Sequence, residues 1–289
     1  HSYALYPELY PEDLAASAAS VDAAAAAAGA AGTEHWACGI DAEAPIRYAQ
    51  VGAAAQAAHT LPELLQLAVR RHGDELALQY DVPPSLPEES AADGTEDALY
   101  GWMPAMDGAA SEDAFRWTWR EYQQEAHAVA AGLIALGVTA SDAVAILSDN
   151  SPRWHMGFLG TVCCGAKAVG LDKSGSPREC ERVLRHCEAG AVFAGDSDQL
   201  RKFSDTDALT RLPKVRALIE MHPIDPGEPM IPSAGEGGSV RVLTWEQLLA
   251  LGREMVTKTV LEARIAAQRP GLCCAVVYEA TTTDEKEGQ

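Results

Sequence analysis

Residues 144–154 read Val144-Ala145-Ile146-Leu147-Ser148-Asp149-Asn150-Ser151-Pro152-Arg153-Trp154, and this stretch decides the fold. Its first four residues are apolar without alternation, the pattern of a strand buried on both faces. Ser151 is a favourable helix N-cap, and Pro152 has its φ preset for the first helical position. A buried strand feeding straight into a helix is half of a parallel strand–helix–strand unit.

The same grammar repeats outward in both directions. Toward the C-terminus, a strand is expected at 166–171. Ser176-Pro177-Arg178-Glu179 then caps a helix that ends near Gly190. Further strands are expected at 191–194, 215–220 and 240–243. Thr244-Trp245-Glu246-Gln247 caps another helix, and 273–278 reads as the last strand. Toward the N-terminus, Thr60-Leu61-Pro62-Glu63 opens a helix to His72, with Leu61, Leu64, Leu65 and Ala68 apolar. Strands are expected at 75–80 and 115–118. Thr118-Trp119-Arg120-Glu121 starts a helix running to Gly137, a glycine suited to the position just past a helix end. The expected architecture is α/β, a mostly parallel sheet covered by helices on both faces.

Three stretches fall outside this alternation. Residues 1–58 form an Ala-rich, low-complexity tail, since 14–32 are nearly all Ala, Ser and Gly and offer no apolar stripe to bury. Within the structured part, 59–289, residues 81–114 read as a long loop rich in Pro, Gly and acidic side chains. Residues 222–239 form a Pro/Gly loop.

Composition excludes several classes. Of 289 residues, 47% are hydrophobic and 22% charged, an ordinary globular balance that leaves no case for wholesale disorder. Twenty-two Lys plus Arg face 42 Asp plus Glu, a formal net charge of −20. That field repels DNA, RNA and anionic membrane surfaces, so no nucleic-acid partner is expected. No transmembrane segment is expected either, because the best apolar run, 157–171, is broken by Lys167. No Lys or Arg precedes Arg47, so neither a secretory nor a mitochondrial leader is expected. Seven Cys is an odd count, and Cys163-Cys164 and Cys273-Cys274 are adjacent pairs. This is no disulfide framework, and it suits a reducing compartment. The expected location is cytoplasmic or peripheral to an internal membrane.

Local chemistry is sparse. Neighbouring cysteines do not readily turn toward one tetrahedral zinc, and no C-x-x-C or H-x-x-x-H is present, so no metal site is expected. The paired cysteines, and Cys180 with Cys187 on one helix face, read as small buried hydrophobes. His127, His155 and His186 fall on expected helices without evident partners. Surface or satisfied histidines are the simplest reading. Trp117 and Trp119 flank Thr118, with core packing expected for at least one. No G-x-S-x-G, G-x-x-x-x-G-K-[ST] or G-x-G-x-x-G occurs, and no catalytic residue is assigned.

The order of the pieces nevertheless resembles one family. Thr118-Trp119-Arg120-Glu121-Tyr122 resembles the T-W-x-E-Y of adenylate-forming acyl-CoA synthetases. Residues 131–138, AGLIALGV, are similar to that family's GLxxLGV. Val144-Ala145-Ile146-Leu147 and Asn150-Ser151-Pro152-Arg153-Trp154 resemble its VAIL and NSPEW. Val169-Gly170-Leu171 and Ser176-Pro177-Arg178-Glu179 resemble its VGIY and NSPE. Asp198-Gln199-Leu200 and Leu243-Thr244-Trp245-Glu246-Gln247 fall in register with it. The subgroup most similar is the bubblegum type of long-chain fatty-acid–CoA ligase, from about residue 59 onward.

The resemblance implies an incomplete N-terminal domain of an adenylate-forming enzyme. It implies a reaction in which ATP and a fatty acid give an acyl-adenylate and pyrophosphate with Mg²⁺, after which CoA displaces AMP. A carboxylate is a poor acyl donor, and adenylation supplies the leaving group. The protein must hold two anions together and neutralise charge at phosphorus.

That requirement is where this chain departs from the family. The family's phosphate loop, YTSGTTGxPKG, is matched by Tyr278-Glu279-Ala280-Thr281-Thr282-Thr283-Asp284-Glu285-Lys286-Glu287-Gly288. Thr282 and Thr283 keep the paired threonines, and Gly288 keeps the last glycine. Thr281 and Asp284 occupy the early glycine positions, where a Cβ obstructs backbone N–H groups from reaching phosphate. Glu287 falls on the lysine position, and Lys286 lies one place early. Thr282, Thr283 and Lys286 are therefore the only remnant nucleotide contacts implied. Glu279, Asp284, Glu285 and Glu287 surround them with like charge to the ligand's. The family's adenine, ribose and Mg²⁺ contacts, and its C-terminal domain with a catalytic lysine, have no counterpart here. The expectation is a shortened ligase that alone binds neither ATP, Mg²⁺ nor CoA and does not turn over. The alternatives are a non-catalytic scaffold or assembly protein on the same fold and, more weakly, an acyl-binding module. An open sheet edge is expected, covered by further strands or a protein partner.

Overall fold

The computed structural model describes residues 55–80, 115–203, 211–222 and 240–278, with Leu209 and a few positions between 43 and 52. The expected loop at 81–114, the Pro/Gly loop beyond His222, the segment from 279 and most of the Ala-rich tail lie outside the described residues. Within the stretch read as a tail, the Ala44 N–H donates to Gly271 O at 2.8 Å and Glu43 pairs with Arg269.

The elements follow the expected alternation. They are α1 (Leu61–His72), β1 (Leu76–Tyr80), β2 (Phe115–Thr118), α2 (Trp119–Ala135), β3 (Ala143–Leu147), α3 (Pro152–Cys164) and β4 (Lys167–Gly170). Then come α4 (Pro177–His186), β5 (Ala189–Ala194), α5 (Ser197–Arg201), β6 (Ala217–Glu220), β7 (Arg241–Thr244), α6 (Trp245–Met255), α7 (Lys258–Ala266) and β8 (Ala275–Val276). All four expected capping boxes form, at Thr60/Glu63, Thr118/Glu121, Ser176/Glu179 and Thr244/Gln247. In each, the cap hydroxyl accepts an orphan N–H while the third helical residue's side chain accepts the cap's own N–H. Gly137 adopts a φ of 81° just past α2, which an L side chain rarely tolerates.

Six strands form a parallel sheet in the order β7-β6-β5-β3-β4-β8, and β1 and β2 form a separate antiparallel pair. The unbroken apolar runs explain the centre: every residue of β3, β5 and β6 is buried. Alternate residues serve opposite faces. Val144, Ile146, Ala191, Phe193, Ala217 and Ile219 meet Val129, Leu133, Met156, Trp245 and Leu248 from α2, α3 and α6. Ala145, Leu147, Val192, Ala194 and Leu218 meet Cys180 and Leu184 of α4, Leu200 of α5, and Phe203. The result is three layers, helix–sheet–helix.

The structure corrects several sequence expectations. Helix α4 stops at His186, not near Gly190; the left-handed residue is Glu188, at φ 53°. Gly190 lies inside β5, where a Cβ would come within 2.7 Å of the Arg216 guanidinium and 3.2 Å of Asp142 Oδ2. That ion pair, 2.9 Å, needs the space. Helices α5 and α7 were not foreseen. The last strand keeps only Ala275 and Val276 of the expected six residues. Cys163, Cys164, Cys180 and Cys187 are buried as expected, but Cys273 and Cys274 are half-exposed. Trp117 and Trp119 are both partly buried against the core on the α2–α3–α6 side.

Candidate functional site

Strand connections locate the site. Helix α3 carries the chain from β3 to β4 along one face. Helix α4 returns it past β3 to β5 along the other face, and α5 continues there to β6. Adjacent strands β3 and β5 therefore send their chains to opposite faces. The crevice above their C-terminal ends is the binding position of open α/β sheets.

Backbone contacts shape this crevice. Gly195 N donates to Leu147 O at 2.8 Å, and a Cβ on Gly195 would sit 2.7 Å from Ser148 Oγ. Beyond β6, Met221 N and His222 N continue the ladder to Ala194 O and Gly195 O, at 2.8 and 3.0 Å. This registers His222 at the rim. Its Nε2 lies 3.3 Å from Ser151 Oγ, which also accepts the Trp154 N–H as the N-cap of α3.

Four carboxylates surround the rim, and each is engaged. Glu220, fully buried at the end of β6, accepts from Ser197 Oγ at 2.7 Å. Asp149 pairs with Lys173 at 2.6 Å, and Asp196 caps α5 through the Gln199 N–H. Glu246 pairs with Arg153 at 2.6 Å. The Arg153 guanidinium also donates to Met221 O and lies 5.5 Å from the Trp245 ring centre, tying α3 to β6 and α6. Lys202 Nζ donates to the carbonyls of Lys173 and Gly175, fastening the loop before α4. His222 is exposed at the rim, yet the protein packed around its ring, reinforced by the Arg153 charge, holds its imidazole below the usual histidine range. Asp196 and Glu246 oppose the shift. The rim is thus a set of polar pairs around one imidazole held toward its neutral form.

Mg²⁺ keeps one or two carboxylates of its own. Here Asp149, Asp196 and Glu220 serve a cation, an amide and a hydroxyl; Glu246 keeps a buried Oε2 without a hydrogen-bond partner, but its Oε1 is held by Arg153, and one such oxygen beside a guanidinium does not fit that ion. Among the described residues no group of three or more His, Cys, Asp or Glu is placed to hold a metal.

Thr282, Thr283 and Lys286 lie outside the described residues. The strand that leads to them is described: β8 pairs with β4, and Tyr278 packs on the α4 side with its hydroxyl 2.7 Å from His186 Nδ1. His186 therefore has a partner that the sequence did not reveal. His127 lies in the middle of α2; His155 lies in the first turn of α3, where its N–H donates to Ser151 O and its ring meets Trp154 edge-on. Sequence reasoning missed Arg153, Ser197, Glu220 and His222 as rim residues. Glu220 left a trace, a carboxylate closing the apolar run Ala217-Leu218-Ile219.

No described helix is long and apolar enough to cross a membrane. Curated relatives include the long-chain-fatty-acid–CoA ligases ACSBG1 of Rattus norvegicus and Mus musculus, each 30% identical over 189 residues, 65% of this chain and 24% of theirs. The ACSBG2 ligase of Gallus gallus is 24% identical over 256 residues, 88% of this chain and 28% of its own. The chain thus spans about a quarter of the length of these relatives. Among solved structures, the A domain of carboxylic acid reductase from Segniliparus rugosus, in complex with AMP and a co-purified carboxylic acid, shares the fold. The TM-score is 0.50 at 18% identity, over 68% of this chain and 30% of that one. The AMP-binding enzyme model matches residues 91–254, more than half of the sequence, and the chain belongs to the AMP-binding enzyme family.

Proposed function

We propose that the chain forms part of a long-chain fatty-acid–CoA ligase, which joins a fatty acid to CoA through an acyl-adenylate formed from ATP. One observation carries this reading. The segments that resemble the ligases, Asn150-Ser151-Pro152, Asp198-Gln199-Leu200 and Thr244-Trp245-Glu246-Gln247, are the helix starts around the switch-point crevice. ATP would supply the leaving group that a carboxylate lacks. The residues of this chain would shape the rim, hold Ser151 and His222 in one network and keep water from the base of the crevice.

The same reading makes the chain inactive on its own. In sequence, residues 279–287 carry four carboxylates around Lys286, and Thr281 and Asp284 fall where the resemblance expects glycine, whose bare backbone phosphate needs. Thr282, Thr283 and Lys286 would remain as weak contacts. That acidity also favours a second reading, a non-catalytic scaffold whose sheet edge is covered by a protein partner. Either role would be carried out in a reducing compartment or at the surface of an internal membrane.

Pyrophosphate exchange into ATP with a long-chain fatty acid tests the inactivity of the chain alone; the expected result is no exchange above the protein-free rate, and clear exchange overturns it. Equilibrium binding of a non-hydrolysable long-chain acyl-adenylate analogue separates the readings. Saturable binding supports the ligase part, and none supports the scaffold.

A further inference from the structure

The Ser151–His222 pair belongs to the crevice already described. The adjacent cysteines at the start of β8 carry an inference further. Four of the described cysteines are buried, with the Cys163 and Cys164 thiols pushed up to about 12 and the Cys187 thiol to about 11 by burial. Such thiols are inert. Cys273 and Cys274 alone among the described cysteines are half-exposed. Burial raises the Cys274 thiol, and the neighbouring Cys273 raises it further. Their backbone is structural: Ala168 N donates to Cys274 O at 2.9 Å, the bond that opens the β4–β8 ladder. Cys273 Sγ lies 3.3 Å from Ala275 O, in the ladder's next residue.

We propose that Cys273 and Cys274 form a reversible redox pair, oxidised by a small-molecule disulfide such as oxidised glutathione to an adjacent-residue disulfide that releases β8 from β4. In this step one cysteine thiolate attacks the external disulfide, forming a mixed disulfide and expelling one thiolate. The second cysteine then attacks the first cysteine's sulfur and expels the other thiolate. Two protons leave the cysteines and end on two small thiols. One external S–S bond is reduced as one internal bond forms. Adjacent Cα atoms are only about 3.8 Å apart, below the roughly 4.4–6.8 Å that a disulfide prefers. The product is therefore strained and easily reduced, the behaviour of a labile bond and not a structural one. The ring also holds the peptide between the two cysteines out of extended geometry. The Cys274 carbonyl then loses Ala168, and β8, with only two paired residues, is left to the packing of Val276 and Tyr278 on the α4 side and the Tyr278 hydroxyl on His186.

The experiment equilibrates the full chain in glutathione buffers of rising oxidised fraction, quenches with acid, alkylates and maps peptides by mass. The expected result is a peptide containing Cys273 and Cys274 that loses two hydrogens and reverts on reduction, while Cys163-Cys164 stays alkylatable. Hydrogen exchange at the Ala168 amide should speed by on the order of tenfold in the oxidised form. The Cys273→Ser variant should show only a glutathione adduct on Cys274 and no change at Ala168. Three results would overturn the proposal: separate adducts without an internal bond in the native chain, equal oxidation of Cys163-Cys164, or an internal bond that leaves Ala168 exchange unchanged.

Discussion

The two faces of the sheet are built by different means. On the first, α2 is gripped between α3 and α6 through glycine. A Cβ on Gly252 would lie 2.5 Å from Gly132 N and 2.8 Å from Ala128 O, and one on Gly160 would lie 2.5 Å from Val129 Cγ1 and 2.9 Å from Ala126 O. On the second face, α4 and α5 contain no glycine and meet the sheet through side chains such as Leu184, Leu200 and Cys180. Backbone-to-backbone contact cannot yield to an added methyl, because close-packed interiors transmit the overlap. Side-chain contact can relax into a changed volume.

Four predictions break or sharpen this contrast. The largest effect belongs to Gly252→Ala, which should cost about 3 kcal/mol in denaturant unfolding, since the added Cβ would meet the backbone of α2, at Gly132, Ala128 and Ala131. A cost under about 0.5 kcal/mol would show that the helices slide apart freely. Next, Cys180→Ala on the second face should cost only about 1 kcal/mol, the loss of one buried sulfur-sized group. An equal or greater cost than Gly252→Ala would erase the distinction between faces. Gly157→Ala is the sharper control, because it sits on the same helix as Gly160. Its Cβ would meet Phe193 and Met221 at 3.7 Å, ordinary contact, and removing a helical glycine should stabilise by ~0.5 kcal/mol.

The gentlest effect is the dependence on pH. His222 is held below its free value of 6.5 by burial, then by Arg153, against Asp196 and Glu246. The unfolded chain therefore binds its proton first, and stability falls as pH drops below about 6.5. Burial lowers His127 in the same direction, so His222→Gln should flatten this phase only in part. Glu121 and Glu179 are lowered from 4.5 by the backbone N–H groups of Thr118 and Ser176. Their stabilisation is present above 4.5 and is lost as pH falls through the lowered values. Thermal melts from pH 8 to 3 should show two successive declines, and a flat profile between pH 7 and 5 would contradict the histidine contribution.

The strands and caps were legible because their chemistry is local. Ser151-Pro152 and the capping boxes act within three residues, and apolar runs such as Val144-Ala145-Ile146-Leu147 need no distant partner to be read. Helix α7 was not legible: Thr257 makes no side-chain cap bond, and Lys258–Ala266 buries only Leu261. Gly190 misled because its glycine serves the Arg216–Asp142 pair across the sheet and not a helix end. The crevice was the least legible part, since it depends on strand order. Ser197 meets Glu220 across 23 positions and Ser151 meets His222 across 71, separations that local pattern does not encode.

The grip on α2 also sets a schedule for making the protein. Trp245 Nε1 donates to Glu125 Oε1 across 120 positions, beside the crossing where Gly252 meets Gly132. At ribosomal speeds of roughly 5–20 residues per second, that gap takes on the order of ten seconds to translate. During that interval α2 has emerged while α6 does not yet exist. The small-residue surface around Ala128 and Gly132 must wait uncovered, and a slower ribosome between these points would lengthen the exposure of the nascent chain to misassociation.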